Sequence, residues 1–355
     1  MAPASQRHAL LALATRDTGP LIDALVSDPG LAQRVASIRT CFFPYTWPDG
    51  SDQAGSLELL WLCPNVVEAY LEQDDLPKRM YRASLLQHDG LVTTLHNLTR
   101  LKLTHRSQSN IYRDTTEWRG AINGLFDVFM SLPALKELDG AGIPGCFDQM
   151  TLPTPPFQLE RLRWMKHAAS TMDSGSVHIA LIACSSGTLR DLEMDLAITG
   201  RDALLPVFAI AARRLKSFRV PYWTSYGDTV FLYDRLLPCC SVLQHLSVVH
   251  YHDSPAPLVA TLTALRAPLH SLELYCNSPP ERYHGHVERL FLRLLRSTPS
   301  LRMLRTLSLR FDSFHEDEDD LDATLEMVSD LRTMMPRLDA FAILRVDGEA
   351  DQVLR

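Results

Sequence analysis

The sequence predicts an α/β solenoid, a stack of short parallel strands with helices returning between them. Three observations carry this reading. A six-residue apolar pattern recurs ten times, amphipathic helical stretches lie between copies, and prolines close several of those stretches. Internal repetition is sought first, because missing it misassigns the whole fold. The pattern is apolar-x-x-apolar-x-apolar, and its copies begin at Val66, Leu98, Leu135, Leu159, Leu189, Leu215, Leu243, Leu269, Leu304 and Leu338. Of the 30 key positions 29 are apolar, Gly140 being the exception, against about 14 expected at the chain's 46% apolar content. Successive copies start 24 to 37 residues apart, with a mean near 30. That mean lies at the upper end of the roughly 20–29-residue leucine-rich range, and the irregularity implies long, variable connections. Val35, Ile38 and Thr40 read as a worn eleventh copy.

The elements follow in order along the chain. Residues 1–34 are expected to form an N-terminal helical cap and residues 35–355 a solenoid of about ten repeats. Glu117–Met130 carries Ile122, Leu125, Phe126 and Phe129 at three- and four-residue spacing, which makes one apolar helical stripe. His286–Arg296 and Leu321–Met335 have the same periodicity. Pro64, Pro133, Pro268, Pro299 and Pro336 stand just before copies of the pattern. Proline cannot continue a helix and biases its predecessor toward extended backbone. The unit is therefore helix, turn, short strand and loop. One unit cannot bury its apolar face alone, so neighbours stack around a shared core. Strands joined through helices are parallel, which predicts a curved parallel sheet with helices on its convex side.

Leu62-Cys63-Pro64-Asn65-Val66-Val67-Glu68-Ala69-Tyr70-Leu71 and Leu132-Pro133-Ala134-Leu135-Lys136-Glu137-Leu138 resemble the divergent leucine-rich repeats of fungal F-box-type proteins. The resemblance covers about residues 30–345 and implies an irregular leucine-rich-repeat solenoid. The family pattern places Asn or Cys eight residues after the first leucine. Here only Asn277 does so, with Asp74 and Asp312 as partial substitutes, which predicts a distorted arc. Leu21–Leu25 and Asp28–Ile38 resemble the stretch that follows the F-box in such proteins. The box itself needs a Leu-Pro-x-Glu opening that residues 1–20 do not contain. Binding of a ubiquitin-ligase adaptor is accordingly not expected. Substrate recognition of F-box type is the context that the resemblance implies.

Composition narrows the class. The chain has 355 residues, 22% of them charged, and a formal net charge of -7. This is ordinary for a globular protein and shows no global basic excess for nucleic acid. No apolar run approaches the 18 residues of a transmembrane helix. The seven cysteines are odd in number, irregular in spacing and without CxxC, which points to buried thiols in a reducing compartment, cytoplasmic or nuclear. The apolar run Ala9–Ala14 falls short of a signal-peptide core. Asn97-Leu98-Thr99 is a formal glycosylation sequon, incidental without secretion.

Candidate chemistry is sparse, and no catalytic, cofactor or metal residue is assigned. Gly140-Ala141-Gly142-Ile143-Pro144-Gly145 matches GxGxxG, but Pro153, Pro155 and Pro156 leave little room for the helix that a nucleotide site requires. The other reading of these glycines is a loop needing positive φ. His250 and His252 would share a strand face with His245 nearby, and His284 and His286 form a second cluster. Imidazoles can ligate zinc or iron, although HExxH and Cys–His spacings are missing. A metal- or nucleotide-dependent enzyme built on His250 and His252 or on Gly140–Gly145 is the rival to a non-enzymatic interaction scaffold. Glu316–Asp322 holds six acids in seven residues. It reads either as a docking segment for a basic partner or for calcium, although the EF-hand ligand order and glycine are missing, or as a solvated loop leading into the Leu321–Met335 helix.

The exposed strand positions of the solenoid are the expected binding surface. They comprise Arg100, Lys102, Glu137, Asp139, Arg161, Arg163, Asp191, Glu193, Arg219, His245, Glu273, Tyr275 and Arg310, with Arg39, Glu68, Glu72 and Asp195 in equivalent places. A phosphate-backbone binder would carry one sign. Mixed signs suit a protein or peptide ligand, or else neighbouring strands pairing opposite charges across the sheet.

Overall fold

Each of the ten apolar copies becomes a β-strand. The computed structural model describes residues 11–15, 19–41, 62–72, 95–104, 115–143, 151–165, 174–196, 198–221, 230–250, 260, 262–263, 265, 268–276, 303–312, 340–347 and 350–354. The ten strands are β3 (Glu68–Glu72), β4 (Arg100–Thr104), β5 (Glu137–Ala141), β6 (Arg161–Met165), β7 (Asp191–Met194), β8 (Ser217–Val220), β9 (His245–His250), β10 (Ser271–Cys276), β11 (Thr306–Asp312) and β12 (Ala340–Asp347). The worn copy forms β2 (Val35–Cys41). Two more strands, β1 (Leu11–Thr15) and β13 (Ala350–Leu354), lie outside the pattern.

The chain divides into two compact units, Met1–Ser185 and Ser186–Arg355, where the sequence suggested one continuous solenoid from residue 35. In the first unit β1 to β6 pair in chain order, every pair parallel. In the second, β7 to β12 do the same and β13 turns back antiparallel to β12. The helices α1 (Gly19–Ser27) and α2 (Pro29–Arg34) occupy the segment expected as a helical cap. That segment is not wholly helical, because β1 precedes them and pairs with β2. Asp28 explains the break between the helices: its Oδ1 accepts from Leu31 N at 3.0 Å, and Pro29 opens α2. The helix expected over Glu117–Met130 is α3 (Thr115–Phe129), and α4 (Ser176–Ser185) and α5 (Arg201–Ala212) return the chain after β6 and β7. The helices expected at His286–Arg296 and Leu321–Met335, the acidic run Glu316–Asp322, and His252, His284 and His286 lie outside the described residues.

The core is made by the pattern itself. Wherever the side chain is described, the first, fourth and sixth positions of a copy are no more than 4% exposed, Gly140 aside. Leu192, Phe218, Leu246, Leu272 and Leu307 lie on successive strands in register and are all buried. A further apolar slot stands three residues before five of the copies. Cys63, Leu95, Leu132, Ala212 and Cys240 fill it and are buried. In four of these places a tight turn closes on that residue's carbonyl, as in Val66 N to Cys63 O at 3.3 Å and Leu135 N to Leu132 O at 3.2 Å. Pro64 and Pro133 sit inside such turns, as their lost N–H allows. Two cysteines thus serve as small apolar fillers of one repeated slot. Burial pushes the Cys63 thiol up to about 11, and burial pushes Cys240 up as well.

A carbonyl ladder fixes how the layers sit on one another. In seven copies the second residue offers one oxygen to two N–H groups of the next copy. Val67 O accepts from Thr99 N at 2.9 Å and Arg100 N at 3.1 Å, and Thr99 O accepts from Lys136 N and Glu137 N at 2.9 and 3.1 Å. The second unit repeats this through Arg190, Lys216, Gln244 and His270. Asn65 and Asn97 add side-chain rungs, donating to Gln33 O at 2.8 Å and Pro64 O at 3.2 Å. These asparagines precede the first apolar residue of their copies, so the amide rung lies one residue ahead of the pattern instead of eight behind it.

Candidate functional site

Parallel strands in register place residues of equal parity in rows across the sheet. In the first unit two rows carry the charged positions. One runs Ser37, Glu68, Arg100, Glu137, Arg161, and the other runs Arg39, Tyr70, Lys102, Asp139, Arg163. The intervening parity, Ala69, Leu101, Leu138 and Leu162, is buried. One face of the sheet is therefore core and the other is a polar surface.

Signs alternate from Glu68 to Arg161 in the first row and from Lys102 to Arg163 in the second, and the ion pairs follow the register. Arg100 Nη1 meets Glu68 Oε1 at 2.6 Å, and Arg100 Nε meets Glu137 Oε1 at 3.5 Å. Glu137 Oε2 faces Arg161 Nη1 at 3.7 Å. In the second row Asp139 Oδ2 stands between Lys102 Nζ at 3.5 Å and Arg163 Nη1 at 3.4 Å. Pairing of opposite charges across strands is thus realised for Arg100 and Lys102 with Glu137 and Asp139. Exposed pairs of this kind contribute roughly 0–1 kcal/mol each, so they organise the surface more than they hold the fold.

The second unit's rows are more hydroxylic. One runs Asp191, Ser217, His245, Ser271, Thr306, and the other runs Glu193, Arg219, Ser247, Glu273, Ser308. Ser247 Oγ donates to Glu273 Oε2 at 3.0 Å. The His245 ring lies edge-on to His270 at 6.5 Å. Partial desolvation lowers the His245 pKa, and the neighbouring His270 and Arg219 lower it further against the opposing pull of Asp191. Tyr275 and Arg310 pair with each other in a third row between Val249 and Leu344. Asp195 departs from expectation, being buried just after β7 and not exposed on the lining.

The residues offered for enzyme chemistry are placed differently. Gly140 lies in β5, and a Cβ built there would overlap the Trp164 ring, so close packing explains this glycine. Gly142 has φ 72°, which explains the second. Residues 151–160, where a nucleotide-binding helix had little room, contain no helix. His250 ends β9 opposite Cys276, at the strand parity of Leu246 and Val248, whereas His245 holds the other parity. Among the described residues no group of three His, Cys, Asp or Glu side chains could hold a metal ion. Among them, too, no helix is long and apolar enough to cross a membrane.

Sequence reasoning found every charged member of the first-unit rows. It missed Tyr70 and the amide rungs of Asn65 and Asn97. An asparagine immediately before two successive copies was the available signal. In comparison with known proteins, no family model matches the chain and no curated protein matches it.

Proposed function

We propose that the chain is a leucine-rich-repeat solenoid that works as a non-enzymatic interaction scaffold and takes a protein or peptide ligand on the polar face of its parallel strands. The observation that carries this reading is the pair of alternating charged rows, Glu68–Arg100–Glu137–Arg161 and Lys102–Asp139–Arg163, on strands whose other face is core. Charge patterns of this kind give specificity and register more than raw affinity. Substrate recognition in the manner of F-box-type proteins, in the cytoplasm or nucleus, is the proposed context.

The test is affinity capture from the native cell with the full chain and two variants. Arg100→Glu with Arg161→Glu reverses the face. Arg213→Glu with Arg214→Glu reverses two exposed charges after α5. A partner retained by the second variant and lost by the first is the expected result. Partners indifferent to the first variant would remove the face from consideration. Stoichiometric zinc or iron in the purified protein, lost on replacing His250 and His252, would favour the enzyme instead.

A further inference from the structure

The charged face of the first unit carries a layer of cations that are more exposed than the acids they pair with. On β3–β6 the side chains of Glu68, Glu137 and Asp139 are 28%, 35% and 25% exposed. Those of Arg100, Lys102, Arg161 and Arg163 are 51%, 39%, 60% and 36% exposed. In every pair the cation is more exposed than the carboxylate that holds it. Arg39 adds an exposed cation to the end of the second row. The layer is local, since the whole chain carries a net charge of -7.

The layer also has a period. Cations recur on every second strand, Arg100 and Arg161 in one row, Lys102 and Arg163 in the other. Two inter-strand steps span about 9.5 Å. An extended polyproline-II segment rises about 3.1 Å per residue, so residues three apart are about 9.3 Å apart. Glu137 and Asp139 sit at the intermediate strand and would repel an unbroken row of phosphates. They leave room for acids spaced three residues apart.

We propose that the β3–β6 face binds an acidic peptide segment in extended conformation, with carboxylates at every third residue, laid across the strands. This rests on the scaffold reading above and names the chemistry of its ligand. Arg100, Lys102, Arg161 and Arg163 make the contacts. Glu68, Glu137 and Asp139 are positioning residues that hold the cations ready, so less side-chain freedom is lost on binding.

The experiment titrates the full chain into a fluorescein-labelled peptide of four Glu-Pro-Pro repeats, read by anisotropy at low and moderate salt. Matched Lys-Pro-Pro and Gln-Pro-Pro peptides and a single-stranded RNA oligonucleotide are the comparators. The acidic peptide alone should bind, more weakly as salt rises. Arg100→Glu with Arg161→Glu should weaken it at least about tenfold, whereas Arg213→Glu with Arg214→Glu should not. Arg161→Gln, a milder change, should give a smaller loss and guards against misfolding of the double variant. Equal binding of the Gln-Pro-Pro peptide, tighter binding of RNA through the same residues, or equal loss in both double variants would overturn the proposal. If the captured native partner depends on this face yet the acidic peptide does not bind, the ligand chemistry is wrong and the scaffold reading stands. If no captured partner depends on the face, the scaffold reading fails by itself.

Discussion

Gly140 is the one break in the apolar pattern, and its neighbour explains it. Trp164 holds the equivalent place in β6, fully buried and edge-on to Phe129 at 6.3 Å, and it fills the space a Cβ would need. Gly140→Ala should therefore cost about 1–3 kcal/mol by overpacking. Urea denaturation checks this, and the added change Trp164→Leu should return part of the loss by opening that space. No sequence pattern pairs a glycine with a tryptophan 24 residues on, so the exception was visible and its cause was not. Cys63 gives a second test. An ordinary thiol ionises near 9.0 and buried Cys63 near 11. Below pH 9 both states are protonated and the contribution is complete. Above it the unfolded thiol ionises first, so stability falls as pH rises toward 11, by up to roughly 1.4 kcal/mol per pH unit. The difference in urea stability between the native chain and Cys63→Ala, followed from about pH 8 to 10.5, should narrow accordingly.

At the scale of elements, strand identity was legible because three buried positions in six leave a strong signature, and every copy yields its strand. The carbonyl ladder was not legible, since it belongs to the backbone and any residue can supply it. The amide rungs of Asn65 and Asn97 were not legible because the resemblance places such an amide after the strand, and here it stands before it. The charged rows were legible as composition, and register turned them into pairs. Glu137 sits between two guanidiniums. Glu137→Gln should thus cost no more than about 1 kcal/mol, as exposed pairs do. Glu137→Lys should cost more, because three like charges would then face one another across adjacent strands. Paired chemical denaturation of the two variants checks the order.

At the scale of the molecule, contacts between strands are contacts between sequence neighbours. In the second unit β8 to β12 each pair with the preceding and following strand in chain order. Stability in such an array is a sum of local and nearest-neighbour contributions. Leu272→Ala, which removes a fully buried side chain from β10, should cost about 2–5 kcal/mol. Amide hydrogen exchange should report the loss most strongly in β9, β10 and β11 and least in β7. Uniform loss across the unit would mean that it opens as a single body. The division at Ser185 was not legible, because the apolar pattern crosses it without a change of spacing or composition.

The reversal at β13 has a consequence for growth. Each parallel layer presents to the next the same row of backbone donors and acceptors that it received, so such a stack contains no instruction to stop. An exposed terminal edge of that kind is a template for further chains. Because β13 runs against β12, its outer edge no longer repeats the pattern that the preceding layers hand on. The hairpin reverses strand direction after β12, so a strand added beyond β13 would meet one that runs against the parallel ladder of β7 to β12.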